Sequence, residues 1–222
     1  MKKIFYLLFI FTALVLTSCK EDLEIWDSET LDYSGKFDYQ LLSEDMQDVY
    51  ADYGSQLMIY NTASNVVNEV WIDDEEHTFP LKSKFTFTGN SLSFKSSTED
   101  FAALANNIYN VDNKLPTPAP TAIGQSITKD REYVRAVILE GKILPKQATT
   151  IGGNIADSLY LKIKLLSGDV TYISYEVPLA LRQDPEKEEF KWKYSAATYD
   201  SSLDEVYVIS GHRYTGFDED HH

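Results

Sequence analysis

Apolar and polar residues alternate along much of the chain after residue 34, and this period of two predicts β-strands. In the first such segment, Phe37, Tyr39 and Leu41 are separated by single polar residues. A strand with this pattern has one apolar face and one solvated face. The same reasoning predicts further strands at 57–61, 66–73, 133–144 and 205–214.

Two hairpins are predicted from turn-forming residues that separate alternating segments. The dipeptide Gly89-Asn90 suits a two-residue turn with positive φ and sets Phe87 opposite Leu92. A second hairpin is predicted over 159–177, with the triplet 167–169 (Ser-Gly-Asp) as its loop.

About eight short strands, joined mostly by tight turns, predict an all-β domain built as an antiparallel meander. Closure into a barrel removes exposed strand edges and is therefore favoured, although the pattern also fits a sandwich. A short helix is predicted at 98–108, and a long proline-rich loop follows from Leu115. This loop is either a lid over a cavity or an unstructured insertion.

The first eighteen residues have the order of a secretory signal. Lys2 and Lys3 precede an apolar stretch from Ile4 to Val15, and small residues then lead to Cys19. The apolar stretch is shorter than the roughly 20 residues that a helix needs to cross a bilayer. We therefore divide the chain into a signal peptide at 1–18, an acidic tether at 19–32 and a β domain at 33–222.

The segment from Leu16 to Cys19 resembles the lipobox of bacterial lipoproteins. This resemblance implies that Cys19 receives a diacylglyceryl group, that the signal is cut before it, and that the new amine is acylated, for example with palmitate. Cys19 is the only cysteine of the chain, so no intramolecular disulfide forms, and once acylated it is neither a nucleophile nor a metal ligand.

The tripeptide Lys20-Glu21-Asp22 resembles the signal that sends lipoproteins of Bacteroidetes to the outer face of the outer membrane. It implies a lipid-anchored protein displayed on the cell surface. The alternative is a solvated tether on a protein held in the periplasmic leaflet.

The charge balance argues against some classes of partner. Removing the signal removes two of the 20 basic residues, and 18 − 35 gives a formal net charge of −17 for the mature chain. Nucleic acid and anionic bilayers are repelled by such a charge and are not expected as partners. Fifteen tyrosines and eleven phenylalanines instead favour strands and supply large apolar areas.

Four motifs are spread over the β domain: Gly35-Lys36-Phe37, Tyr60-Asn61-Thr62-Ala63, Trp71-Ile72-Asp73 and the closing run at 210–217. They are similar to those of the lipid-binding putative hydrolase family of Bacteroidetes lipoproteins, whose members have a lipocalin-like (calycin-like) barrel. The last motif is the most specific, whereas the first has Phe37 where lipocalins usually have tryptophan.

The resemblance implies a barrel with an interior cavity and an apolar ligand. Seven side chains are expected to line the interior, as ligand contacts or as plain core: Phe37, Tyr39, Trp71, Phe85, Phe87, Leu161 and Ile163. Gly35 opens the first strand and Arg213 lies in the last, which is its neighbour in a closed barrel. The Arg213 guanidinium is therefore expected to stack on Phe37 and to close one end of the barrel.

The sequence contains no recognisable catalytic motif, and neither a cofactor nor a metal site is expected. It lacks a Gly-x-Ser-x-Gly turn and histidines paired at metal-ligand spacing. His77 and His212 are distant in sequence, and only the fold would bring them together with Asp73 or Asp74. The acidic run at 73–77 is interpreted as an exposed strand connection.

Three functions remain open at this stage. The first is a non-enzymatic protein that holds a small apolar or amphipathic, lipid-like ligand in its barrel, shielded by the segment 98–129. The second is an accessory subunit of a surface glycan-uptake or adhesive assembly, with surface proteins as partners. The third is a hydrolase, as the family label suggests.

Overall fold

The computed structural model describes residues 28–75, 77–78, 81–90, 92–104 and 114–220. Cys19 and the signal peptide therefore lie outside the described residues. Nine antiparallel strands, numbered β1 to β9 in chain order, form one sheet in this part of the chain. Their bounds are Gly35–Ser43, Val49–Asn61, Glu69–Asp73, Lys82–Asn90, Ser93–Ser96, Ser126–Thr149, Ile155–Glu176, Phe190–Tyr199 and Glu205–Arg213.

Eight of these strands close into a ring. The strand order is β6-β5-β4-β3-β2-β1-β9-β7-β8, and a further pairing of β6 with β7 completes the closure. At the seam, β9 pairs with β1, from Phe37 opposite Arg213 to Ser43 opposite Tyr207. The predicted all-β, antiparallel, ring-closed fold is thus confirmed, including the pairing of the last strand with the first.

The sheet continues beyond the ring as an extension of three strands, formed by parts of β6 and β7 together with β8. The strands β6 and β7 have 24 and 22 residues, so they are longer than the other strands and project beyond the ring. The first half of β7 pairs with β9, between Ser158 and Leu165, and its second half pairs with β8, between Gly168 and Glu176. Strand β8 was not predicted, although Phe190, Trp192 and Tyr194 alternate with lysines along it.

The predicted turn at 167–169 is wrong. Strand β7 runs straight through these residues, and the hairpin that joins β6 to β7 turns after Thr149, which pairs with Ile155. Gly168 serves a different purpose, since a Cβ there would lie 2.0 Å from the carbonyl oxygen of Thr198. The glycine therefore permits the close approach of β8 where β7 exchanges one neighbouring strand for another.

The predicted hairpin turn at Gly89-Asn90 is displaced by two residues. Asn90 pairs with Ser93, and Gly89 is a strand residue opposite Phe94. A shift of two keeps Phe87 on the inner face, but Leu92 enters the turn, where it is exposed rather than opposite Phe87. The Asn90 side chain stabilises this turn by accepting hydrogen bonds from the amides of Leu92 and Ser93.

The hydrophobic core lies inside the ring and contains inward-facing residues of all eight strands. Tyr33, just before β1, packs edge to face against Phe87 and Phe94, with ring centroids 4.9 and 5.1 Å apart. Phe94 in turn lies over Gly141, where a Cβ would come within 2.5 Å of the ring. The aromatic residues that the sequence supplies are therefore used to fill one end of the ring.

The proline-rich segment packs on the extension in its described part. The Trp192 indole donates to the carbonyl of Pro118 (3.0 Å), and Lys129 Nζ donates to the carbonyl of Lys114 (2.7 Å). Ser174 Oγ also donates to the carbonyl of Ala122 (2.7 Å). These contacts fix residues 114–125 against β6, β7 and β8.

The helix predicted at 98–108 is a short 3-10 helix at Phe101–Leu104, and residues 105–108 lie outside the described part. Further single turns of this type occur at Leu179–Leu181, Ser201–Leu203 and Asp218–Asp220. Among the described residues, no helix has the length and apolar character required to cross a bilayer.

Candidate functional site

Six of the seven predicted lining residues lie together inside the ring. They are at most 1 % exposed and belong to one continuous core: Phe37, Tyr39, Phe85, Phe87, Leu161 and Ile163. Each comes from a strand whose alternate residues face outward, which is why the period of two located them. In the structure these side chains pack as core.

Trp71 does not face the interior, and the expectation that it lines the ring is wrong. The neighbouring Val70 and Ile72 are buried in the core, whereas Trp71 is half-buried on the outer face of β3. It lies there between its strand partners Tyr60 and Lys84. The large apolar ring suggested an inward position, but the alternation with Val70 and Ile72 excludes it.

We call the end of the ring at which β1 begins the anchor end, and Arg213 closes it. Its guanidinium lies over the Phe37 ring, 4.9 Å from the centroid, and also donates to the carbonyl of Ser34 and to Asp157. A side chain on Gly35 would collide with this guanidinium, since a Cβ would lie 2.4 Å from Nη1. The Gly35 and Arg213 pair thus occupies one end of the interior.

A buried carboxylate lies towards the opposite end, which we call the cleft end. Asp74 follows β3, is fully buried, and accepts hydrogen bonds from the Tyr39 hydroxyl and, at 2.8 Å, from the Thr78 amide. Tyr39 therefore ties the interior of the ring to the connection between β3 and β4. Both ends of the core are held by polar contacts of this kind.

A cleft of about 240 Å³ opens beside this end, between the ring and the extension. Residues from β6, β7 and β9 meet there because β7 changes its neighbouring strand at this level. The lining residues are Arg131, Tyr133, Ser167, Ser202, Leu203, Asp204 and Glu205.

Tyr133 connects the cleft to the core. Its ring packs against the buried core, and its hydroxyl donates to Glu205. Tyr207 donates to the same carboxylate oxygen at 2.7 Å. Burial and the hydrogen bond to Glu205 raise the pKa of both tyrosines, so their hydroxyls stay protonated.

The second carboxylate of the cleft is also satisfied by neighbouring donors. Asp204 accepts from the Ser167 amide (3.2 Å), the Tyr199 hydroxyl (2.7 Å) and Lys164 Nζ (3.0 Å). Burial and the interaction with Asp204 raise the pKa of Tyr199 to about 12. Both acids of the cleft are therefore engaged by the protein itself.

Two residues that line the cleft carry donor side chains. Arg131 is exposed and lies in a β-bulge, with φ of 57°, where β6 slips relative to β7. Bulges re-aim side chains in this way. Ser167 is 2 % exposed, and its hydroxyl has no hydrogen-bond partner among the described residues. A buried hydroxyl without a partner is unfavourable, but this one is closed off from solvent, so Arg131 is the donor that a ligand can reach.

Apolar side chains also lie at the rim of the ring beside the cleft. Tyr207 contacts Tyr50 edge to face, with centroids 5.7 Å apart. Val49 precedes Tyr50, and Met46 lies in the turn after Ser43, the strand partner of Tyr207. Met46, Val49 and Tyr50 are each more than half exposed. We call Tyr207, Tyr50, Val49 and Met46 the apolar stripe.

Comparison with known proteins gives one family. The model of a family described as "lipid-binding putative hydrolase" matches residues 22–218. The chain belongs to this family. No curated protein matches it. Membership of the lipid-binding putative hydrolase family covers the whole ring, the cleft and the apolar stripe.

The family name raises the question of hydrolysis, and the histidines bear on it. His77 is exposed in the connection between β3 and β4, whereas His212 is buried on the outer wall of β9. Asp73 lies on β3, three strand spacings from β9, which amounts to about 14 Å. The fold therefore does not bring His212 together with Asp73.

Asp38, His212 and Ser158 instead lie side by side on the outer face of β1, β9 and β7. Tyr53 stacks on the His212 ring at a centroid distance of 5.7 Å, and Ser158 donates to the carbonyl of Gly211. The imidazole is thus covered, and the serine hydroxyl is directed to the main chain. These contacts fit a structural role in the seam.

The acidic run is engaged by the protein. Burial raises the pKa of Asp73, but Lys82 at 2.6 Å and the Glu75 amide outweigh it and hold the pKa below its usual value. In the described part of the chain, no group of three or more His, Cys, Asp or Glu side chains has an arrangement that could hold a metal ion.

Proposed function

We propose that the protein is a lipid-anchored binding protein of the cell surface that holds an amphipathic, lipid-like ligand without catalysing a reaction on it. The polar head of the ligand binds in the cleft, and its apolar chain lies along the apolar stripe. The proposed anchor is the acylated Cys19, and the resemblance of Lys20-Glu21-Asp22 to a surface-display signal supports a position on the outer face of the outer membrane.

The observation that carries this proposal is the continuity between the cleft and the apolar stripe. Glu205 accepts hydrogen bonds from Tyr133, which lines the cleft, and from Tyr207, which begins the stripe. An amphiphile needs a polar site and an apolar surface at a short distance from each other. The cleft end supplies both, in agreement with a lipid-binding family.

The exposed donor of the cleft defines the head group. Because Glu205 and Asp204 already accept hydrogen bonds from the protein, the group left for a ligand is the exposed Arg131 guanidinium. A guanidinium only donates, so the head group must accept hydrogen bonds. A carboxylate meets this requirement best, since a guanidinium pairs with it through two parallel hydrogen bonds.

The cleft end is preferred to the inside of the ring as the ligand site because the described inward-facing residues are buried and packed together. The six inward residues predicted from the sequence are at most 1 % exposed and contact each other. Insertion of an acyl chain among them would displace packed side chains, whereas the apolar stripe is exposed already. Burying exposed apolar area contributes about 25 cal/mol per Å².

Arg131→Ala should weaken the binding of palmitate by at least about tenfold, because hydrogen bonds to charged groups contribute roughly 1.5–3 kcal/mol. Isothermal titration with palmitate measures this effect. Lys187→Ala is the matched control, since it removes one positive charge from the exposed β7–β8 connection, where Lys187 pairs with Asp184.

Palmitate methyl ester extends this test, because it keeps the apolar chain and removes the charge of the head. The ester should bind the unmodified protein more weakly than palmitate does, and Arg131→Ala should abolish that difference. Equal binding of acid and ester by the unmodified protein would contradict the assignment of the head group to Arg131.

A further inference from the structure

Exposed apolar side chains also lie at the anchor end of the ring. Five chain segments come to this end: the turn before β1, the β2–β3, β4–β5 and β6–β7 connections, and the residues after β9. Each presents one large apolar side chain that is 49–65 % exposed. We call this set the anchor rim, and it consists of Leu31, Val67, Leu92, Ile151 and Phe217.

Hydrogen bonds hold several of these segments in place. The Glu29 amide donates to the Asn65 side chain at 3.1 Å, which joins the turn before β1 to the β2–β3 connection. Asp220 accepts from Thr150 and, at 3.2 Å, from Asn154, which joins the C-terminal segment to the β6–β7 connection. The rim is therefore part of the folded domain.

The N-terminal segment leaves the domain at this same end. Ser28 is the first described residue, and it lies nine positions (28 − 19) after Cys19. Nine residues span at most about 30 Å when fully extended. A lipid on Cys19 would hold the anchor rim within this distance of the bilayer, where short linkers give effective concentrations of the order of millimolar.

We propose that the anchor rim rests on the lipid surface in which the Cys19 lipid is embedded. This inference depends on the lipidation of Cys19 that belongs to the proposed function. Apolar side chains on several loops can enter the interface between head groups and acyl chains together. The contact is made by apolar side chains, and a zwitterionic bilayer isolates it, because the negative net charge of the chain opposes contact with anionic lipids.

The orientation that results has a consequence for the ligand site. The cleft and the anchor rim lie at opposite ends of the ring. Strand β9 shows this, because it begins at Glu205 in the cleft and ends at Arg213 at the anchor end. With the rim on the bilayer, the cleft faces away from it. The protein would then take its amphiphile from the medium and not from the membrane that carries it.

The experiment uses single engineered cysteines in the lipidated full chain, since acylation blocks the one natural thiol. Ile151→Cys and Val67→Cys place an environment-sensitive fluorophore on the rim. Leu181→Cys places it on the extension and is the matched control, because Leu181 is 71 % exposed and apolar. The labelled proteins are reconstituted in phosphatidylcholine vesicles that contain a nitroxide-labelled lipid.

The expected result is a loss and blue shift of fluorescence at positions 151 and 67, with the emission at 181 unchanged. Equal quenching at all three positions, or none at 151 and 67 in protein that floats with the vesicles, would overturn the inference. Failure of the protein to float would overturn the lipidation of Cys19 instead, so the two failures are distinguishable.

Discussion

Gly211→Val should prevent the ring from closing and should give the largest loss of stability of any single substitution discussed for this protein. A Cβ at residue 211 would lie 2.1 Å from the carbonyl oxygen of Asp38 and 2.9 Å from Cα of Tyr39. Both are backbone atoms of β1, so β9 has to move away from its partner. We expect a cost of at least about 3 kcal/mol, the upper part of the range for overpacked sites.

Thermal unfolding followed by circular dichroism measures this loss. For a chain of this size, about 3 kcal/mol lowers Tm by roughly 6–12 °C. Ser210→Val is the matched control, since it adds the same side chain at the preceding position of β9, where residues face outward. The control should shift Tm by no more than about 2 °C. An unchanged Tm for Gly211→Val would contradict the close seam between β1 and β9.

Cys19→Ala should abolish membrane attachment while the domain keeps its Tm. The acyl chains contribute about 0.8 kcal/mol for each buried methylene, and stable anchoring requires more than one chain. Cys19 is the only thiol that can carry them. The ring begins at Gly35, so the substitution lies sixteen residues before the first strand (35 − 19).

Fractionation of cells into membrane and soluble material tests this prediction. Ser18→Ala is the matched control, because it keeps a small residue beside the cleaved bond and leaves the thiol in place. The control should remain with the membranes. Recovery of Cys19→Ala in the membrane fraction would show that another part of the chain provides the anchor.

The seam of the ring could be predicted from the sequence because two independent patterns converge on it. Phe37, Tyr39 and Leu41 mark the inner face of β1 by alternation, and the run at 210–217 resembles the closing motif of the family. Strand pairing then places Arg213 opposite Phe37. The chemistry of the pair, a guanidinium over an aromatic ring, follows from the residue types alone.

The turns could not be located in the same way, because a glycine in a β protein can either form a turn or lie within a strand and permit a neighbouring strand to come close. Gly168 lies inside β7 and permits the approach of the Thr198 carbonyl, although Ser167-Gly168-Asp169 has the composition of a loop. Gly89 is likewise a strand residue, with a Cβ position only 2.2 Å from the Ser93 carbonyl oxygen. Local composition does not distinguish a turn from a close approach of two strands.

The cleft also lay beyond sequence reasoning. Tyr133 and Glu205 are 72 residues apart, and they meet because β7 exchanges β9 for β8 between them. Arg131 lines the cleft from a β-bulge that the residue pattern did not predict. Alternation predicts the faces of strands, whereas this site depends on an irregularity in strand pairing.

Native mass spectrometry of the lipidated protein, purified gently from membranes, tests the central claim most directly. Comparison with a spectrum recorded under denaturing conditions separates the covalent lipid on Cys19 from a bound ligand. The account predicts an additional non-covalent amphiphile, or uptake of added palmitate, that is lost in Arg131→Ala. Protein that carries only its covalent lipid and takes up no palmitate would contradict the assignment of the cleft as a lipid site.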